Sequence, residues 1–156
     1  ESINDWQKAL RIYLSPQGKK LQQPIVKELA LNEHLILLCG RYEGVDERVV
    51  KNFFDLEISI GDYILSGGEI PAMVLIDALS RNVKGVLGNS ESLKDETFEN
   101  NLLKYPVFTR PSSFNGMDVP EILLSGNTKL INEWKNSESL KKTEKLRPDL
   151  LDSIEV

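Results

Sequence analysis

Five glycines, at positions 40, 44, 61, 67 and 68, gather in one short stretch of the sequence with three carboxylates, Glu43, Asp62 and Glu69. Glycine lets the backbone take positive φ and approach a ligand closely. Two of the five follow apolar runs: Leu35 to Leu38 leads through Cys39 to Gly40, and Leu56 to Ile60 leads to Gly61. Either glycine alone would suit a strand end and nothing more. Clustered beside carboxylates, the five point to a ligand pocket, although their types do not name the ligand. Other chemistries find little support. No Gly-x-Gly-x-x-Gly follows a strand, and no Gly-x-x-x-x-Gly-Lys-Ser/Thr occurs; Gln17-Gly18-Lys19-Lys20 shares only part of the latter. The single His34 heads an apolar run, is read as structural, and anchors no Ser–His–Asp arrangement. The single Cys39 excludes an internal disulfide, fits a reducing compartment and is expected in the core. With only one histidine to join it, no zinc site can be assembled.

Such a pocket needs strands that deliver the glycine loops to one edge. Residues 11–14 read as a short strand broken by Ser15-Pro16. Residues 24–32 read as a helix carrying Ile25, Val26, Leu29 and Ala30, with Asn32 as terminator. The run 35–39 is expected as a strand buried on both faces. A helix opening near Val45 would present Val49 and Phe53. A second strand over 56–60 precedes the loop with Gly67 and Gly68. A helix over 71–83, with Pro71 at its start, should turn Met73, Leu75, Ile76 and Leu79 mostly to a core. Ahead of these, Ile3, Trp6 and Leu10 suggest the end of a helix. The order β-α-β-α-β-α is that of a parallel sheet covered by helices, an α/β fold whose ligands settle beyond the carboxyl ends of its strands. Residues 1–87 would form this domain. Residues 88–102, polar and acidic with Glu91, Asp95, Glu96 and Glu99, read as an interdomain linker. Residues 103–156 read as a small helical domain. In it Pro106, Pro111 and Pro120 punctuate irregular structure, and Asn127 caps a helix over 128–146 that ends before Pro148. Leu130, Ile131, Trp134 and Leu140 form its narrow apolar stripe.

At 156 residues, 40% apolar and 28% charged, the chain has the size and composition of a globular domain with a small appendage. No apolar run approaches the length needed to cross a bilayer, and no charged-then-apolar leader opens the chain. A cytoplasmic location without membrane association is expected. The net charge of −5 does not mark a nucleic-acid binder, yet residues 104–147 carry eight Lys/Arg against five Asp/Glu. That bias suits a solvated helix face or, locally, a polyanionic partner.

Three motifs carry a resemblance: Cys-Gly-Arg-Tyr-Glu-Gly-Val-Asp-Glu-Arg (39–48), Ser-Ile-Gly-Asp-Tyr-Ile-Leu-Ser-Gly-Gly-Glu (59–69) and Tyr-Leu-Ser-Pro-Gln-Gly (13–18). Together they resemble the bacterial tRNA (guanine37-N1)-methyltransferases of the TrmD family, in the SPOUT class, and the similarity runs along essentially the whole chain. The resemblance implies a C-terminal trefoil knot in the parallel-sheet domain, which ordinary topology rules would not predict. It implies S-adenosylmethionine as cofactor, with Mg2+ a further candidate, and no metal site built from protein ligands. It implies tRNA as partner, entered through the anticodon loop and held by residues 103–156, and a homodimer with active sites at the subunit interface. The cofactor would lie against Tyr13, Leu14, Ser15, Pro16, Gly40, Glu43, Ile60, Gly61, Asp62, Tyr63, Ile64 and Leu65, with Gly67 and Gly68 close by.

Methyl transfer to guanine N1 needs a carboxylate to take the N1 proton and a cation to meet charge gathering on O6. The family's base is an aspartate in an Asp-Ser-Phe motif between the two domains. This chain has Glu96-Thr97-Phe98 there, with Asp95 just before, so the resemblance offers Glu96, or Asp95 through a shifted register. Arg81 matches the arginine the family uses near the guanine, and a guanidinium stays charged at any relevant pH. A second departure is Thr128, where the family commonly has His after Ser-Gly-Asn. The resemblance also implies that about seventy residues precede Glu1. Two other functions stay open: a truncated, catalytically impaired SPOUT module that binds cofactor or RNA, and a SPOUT methyltransferase for another RNA.

Overall fold

A computed structural model of the chain describes residues 3, 5–86 and 96–152. The chain divides into two compact units, Glu1–Gly88 and Asn89–Val156. In the first, strands β1 (Leu10–Lys20), β2 (Leu35–Cys39) and β3 (Leu56–Ser59) form a parallel sheet in the order β2-β1-β3. Helices α1 (Gln23–Leu29), α2 (Glu47–Phe53) and α3 (Glu69–Ser80) alternate with them, giving the expected β-α-β-α-β-α order. Side chains alternate across a strand, so Ile12 and Leu14 of β1 share one face while Tyr13 takes the other. Ile12, Leu14 and Ile58 join Val26 and Leu29 of α1 and Ala72, Leu75 and Leu79 of α3 in one core. Both helices therefore cover the same face. On the Tyr13 side, its ring meets Phe54 at 6.3 Å, Phe54 meets Trp6 at 6.4 Å, and the Arg11 guanidinium lies 5.4 Å over Trp6.

Several elements differ from their sequence pattern for identifiable reasons. β1 does not break at Ser15-Pro16. Its pairing with β3 slips from Leu14 opposite Ile58 to Lys19 opposite Ile58, so the residues between bulge out and Pro16 owes the ladder no N–H. β2 lies at an edge of the three-stranded sheet, and each of its residues is only half-buried rather than covered on both faces. α1 stops at Leu29, with the Asn32 side-chain amide donating back to the Leu29 carbonyl at 3.1 Å. α2 opens behind Asp46, whose carboxylate accepts the Arg48 N–H at 2.8 Å; it buries none of its residues, and Val49 and Phe53 are exposed. α3 begins two residues before Pro71, which still falls in the first turn, where the missing N–H costs nothing. Its buried stripe is Ala72, Leu75 and Leu79, while Met73 and Ile76 are 69% and 55% exposed. Trp6 sits in a 3-10 turn, Trp6–Lys8.

In the second unit, α5 (Thr128–Leu146) is the helix expected there, and Asn127 caps it by accepting the Leu130 N–H at 3.3 Å. The residues it buries are Ser139 and Thr143, whereas Leu130 and Leu140 stay largely in solvent. An extended segment runs along this helix: the Leu103 N–H donates to Thr143 Oγ1 at 2.9 Å, Lys142 Nζ to the Lys104 carbonyl at 3.2 Å, and Phe108 packs on Trp134. The proline-rich stretch is less irregular than its composition suggests. It holds a hairpin of β4 (Ser113–Phe114) and β5 (Met117–Asp118) and the short α4 (Glu121–Leu124); α6 (Asp149–Asp152) follows Pro148. Among the described residues no helix is long and apolar enough to cross a membrane.

Candidate functional site

The three strands of the first unit release the chain at one edge, around a cleft of about 200 Å³. β1 contributes its bulge, Tyr13 to Gln17; the turn after β2 contributes Gly40 to Gly44; the segment after β3 contributes Ile60, Gly61 and Tyr63 to Gly68. Two buried serines fold these walls. Ser15 Oγ accepts the Gln17 N–H at 3.1 Å, and Ser59 Oγ accepts the Gly61 N–H at 3.2 Å, each hydroxyl turning the chain two residues on.

Glycine is required at the crossing of the two loops. A Cβ at Gly68 would stand 2.7 Å from Cys39 Cα and 3.0 Å from the Gly40 nitrogen, and the Gly68 N–H donates to the Gly40 carbonyl at 2.9 Å. Arg41 and Gly67 form an antiparallel bridge beside it, and Arg41 Nε donates to Glu69 Oε1 at 2.8 Å. The Glu69 carboxyl is held below its usual range, first by its own backbone N–H at the start of α3 and then by Arg41. The Cys39 thiol is pushed up, mainly by burial and next by the charge of Glu69. Cys39 is half-buried and packs against the core.

Of the residues singled out from the sequence, Tyr13, Leu14, Ser15, Pro16, Gly40, Glu43, Ile60, Gly61, Tyr63, Ile64, Leu65, Gly67 and Gly68 all line this cleft. Asp62 does not: its carboxylate takes the Lys20 ammonium at 2.6 Å on the surface. Arg81 follows α3 as its half-buried cap residue in the first unit. Glu96 belongs to the second unit, half-buried, in a turn where Thr97 Oγ1 accepts the Lys104 N–H at 3.3 Å and the Phe98 N–H donates to the Leu102 carbonyl at 2.7 Å. Asp95, like most of the expected linker, lies outside the described residues. Thr128 is the first residue of α5. Sequence reasoning passed over Gln17, Arg41, Tyr42, Ser66 and Pro71, which also line the cleft. Their signal was adjacency to the glycines, and for Tyr42 it was a polar turn that forces φ to 58° and leaves the ring fully exposed.

These walls fit a flat, partly apolar ligand. Ile60, Ile64 and Leu65 supply apolar surface, Tyr13 and Tyr63 supply rings, and the loop peptides supply donors and acceptors. Tyr63 folds over Gly61, its hydroxyl donating to the Ile60 carbonyl at 3.2 Å. Among the described residues no three His, Cys, Asp or Glu side chains gather as a metal-ligand set.

The tRNA (guanine-1)-methyltransferase TrmD family model matches residues 1–153. The chain belongs to the TrmD family. Among its relatives, the tRNA (guanine-N(1)-)-methyltransferase of Ruminiclostridium cellulolyticum is 55% identical over 148 residues, covering 95% of this chain and 64% of the relative. The protein of that name from Proteus mirabilis is 57% identical over 143 residues, covering 92% and 57%. That of Clostridioides difficile is 52% identical over 139 residues, covering 89% and 60%. This TrmD-family chain thus spans about three fifths of the length of these curated relatives.

Proposed function

We propose that the chain is part of an enzyme that transfers a methyl group from S-adenosylmethionine to N1 of guanine 37 in tRNA, acting in the cytoplasm. The observation that carries this is the convergence of all three motif segments, 13–18, 39–48 and 59–69, on one cleft at the strand ends. Relatives bearing the name tRNA (guanine-N(1)-)-methyltransferase, at 52–57% identity, support the reaction. S-adenosylmethionine, when bound, supplies an activated methyl group. The chain's own residues do the rest. The peptides at Gly40 and Ile60 to Leu65 hold the nucleoside, with Gly61, Gly67 and Gly68 keeping the wall free of side chains. In this reading Glu96, which stands where the family has Asp, takes the N1 proton, and Arg81 stabilises charge on O6. The anticodon loop presents its base unpaired, at modest cost. Membership of the TrmD family is what supports a SPOUT trefoil knot in this domain. The basic residues of 104–147 suit the tRNA backbone.

A homodimer fits the surface of α3. Opposite its buried stripe that helix exposes Ile70, Met73 and Val74 around the single charge of Asp77. A helix of that kind is ordinarily covered.

The test is methyl transfer by the full-length protein to a tRNA transcript with G37 and to one with A37, with and without a chelator to read Mg2+ dependence. Labelling of the G37 transcript at N1 alone is expected. Transfer to another position, or to none, would overturn the assignment. Glu96→Gln should lose turnover by at least about a hundredfold, as expected for a positioned base, while calorimetric affinity for S-adenosylmethionine stays within a few-fold.

A further inference from the structure

We propose that the ion pair of Arg41 and Glu69 is a clasp that positions the two cleft loops against each other, so that the donor site is formed before the ligand arrives. This deepens the assignment of the cleft to S-adenosylmethionine and rests on it for the ligand, though not for the clasp. Two links meet at this crossing. Arg41 Nε donates to Glu69 Oε1 at 2.8 Å, and the Gly68 N–H donates to the Gly40 carbonyl within the antiparallel bridge of Arg41 and Gly67. The fit is tight: a Cβ at Gly67 would meet the Glu69 carboxylate on one side and Arg41 Cγ, 3.2 Å away, on the other. The two side chains thus close around Gly67, and glycine is the residue that lets them meet. Arg41 stands between Gly40 and Glu43 in one wall, and Glu69 directly follows Gly67 and Gly68 in the other. Breaking the pair leaves the backbone bridge alone between loops that carry much of the cleft lining. Both side chains are about half exposed, at 60% and 50%, so the pair adds little to global stability. Its consequence is local: the relative placement of the loops. Arg41 and Glu69 are therefore positioning residues, acting through the peptides at Gly40 and Gly67.

Cys39 provides a reporter that needs no ligand. It is the only cysteine, half-buried, directly beneath Gly68. Gly68 packs on the Cys39 backbone, so loosening the crossing is expected to free this residue and expose its sulfur. In Arg41→Gln, loss of a cation can only make the thiolate scarcer, so faster reaction with an uncharged disulfide reagent can come only from opening. On the full-length protein, Arg41→Gln is expected to speed Cys39 labelling roughly two- to fivefold, the scale set by a surface ion pair, with an unchanged thermal midpoint. Arg41→Gln and Glu69→Gln should each weaken S-adenosylmethionine binding by a similar factor. The double variant, Arg41→Gln with Glu69→Gln, should lose no more than either single, because both changes break one pair. Labelling at the parent rate or slower in Arg41→Gln overturns the clasp. So does a double variant whose binding loss is the sum of the two singles, which would mean that the side chains act independently. A parent protein that binds no donor yet shows the labelling pattern removes the cleft assignment and leaves the clasp standing.

Discussion

A single Cβ decides the geometry at Gly68. The atoms it would strike are backbone, Cys39 Cα at 2.7 Å and the Gly40 nitrogen at 3.0 Å, and neither can rotate away. Gly68→Ala should therefore cost about 1–3 kcal/mol in urea denaturation, the range for forced overpacking, and should abolish donor binding. At Gly61 the obstacle is the Tyr63 ring, which can swing, but φ of +150° itself excludes most side chains. A charged residue gives a second test. Asp55 accepts Nε–H and Nη2–H of the Arg11 guanidinium and the Arg11 backbone N–H, at 2.6–2.8 Å, and the guanidinium above all holds its carboxyl below the ordinary value of 3.8. A depressed folded value means the stabilisation is present above pH 3.8 and is lost as pH falls through the lower folded value. Asp55→Asn should thus be destabilised at pH 7, with the gap to the parent closing below about pH 4 in denaturation curves at pH 7, 4 and 3. At this scale Gly40 and Gly61 were legible because they end apolar runs, and Gly67 and Gly68 because they cluster with them beside Glu69. The tight spot at Gly18, where a Cβ would enter the Glu57–Ile58 backbone, was not, because it depends on which strand lies alongside.

Elements follow local chemistry where local chemistry is strong. α5 starts at the Asn127 cap and ends at Leu146, two residues before Pro148, and both signals are written in the chain. The β4–β5 hairpin carries an equally local signal, since Asn115-Gly116 takes φ of 51° and 75°, the conformation such a pair favours in a two-residue turn; it was passed over among the prolines around it. β1 was legible only over 11–14, not in its continuation to Lys20. Its bulge depends on β3 pairing twice through Ile58, a relation between distant residues that no local pattern carries. The inner face of α5 also defied its apolar stripe. Thr143 is fully buried because its hydroxyl accepts the Leu103 N–H at 2.9 Å and donates to the Ser139 carbonyl at 2.7 Å. Thr143→Val keeps the shape and removes the acceptor, orphaning a buried N–H. It should destabilise the chain by about 1–3 kcal/mol and speed hydrogen exchange at the Leu103 amide, whereas Thr143→Ser should retain most of the stability. An unchanged Leu103 exchange rate in the valine variant would mean that the segment is held by its other contacts.

For the whole molecule, α3 joins the cleft to an exposed, largely apolar face. The helix begins at Glu69, directly after the glycines of the cleft, and its buried stripe of Ala72, Leu75 and Leu79 anchors it to the core. The opposite side carries Ile70, Met73 and Val74 into solvent at 55%, 69% and 43% exposure. On this face the sequence misled, because apolar residues at helical spacing cannot say whether the surface they meet belongs to the same chain. If the face is the homodimer contact proposed above, a charge at its centre should separate protomers without unfolding either. Met73→Lys meets that condition, since the side chain is mostly exposed and a lysine there is readily solvated. Sedimentation velocity of the full-length protein should show the parent as a dimer and Met73→Lys as a monomer, or dissociating at concentrations at least tenfold higher, with circular dichroism unchanged. The cleft glycines lead directly into this helix, so donor affinity should fall alongside dissociation if the contact also steadies Glu69. A parent that sediments as a monomer, or a variant that stays fully dimeric, assigns the exposed face of α3 to something other than a second copy.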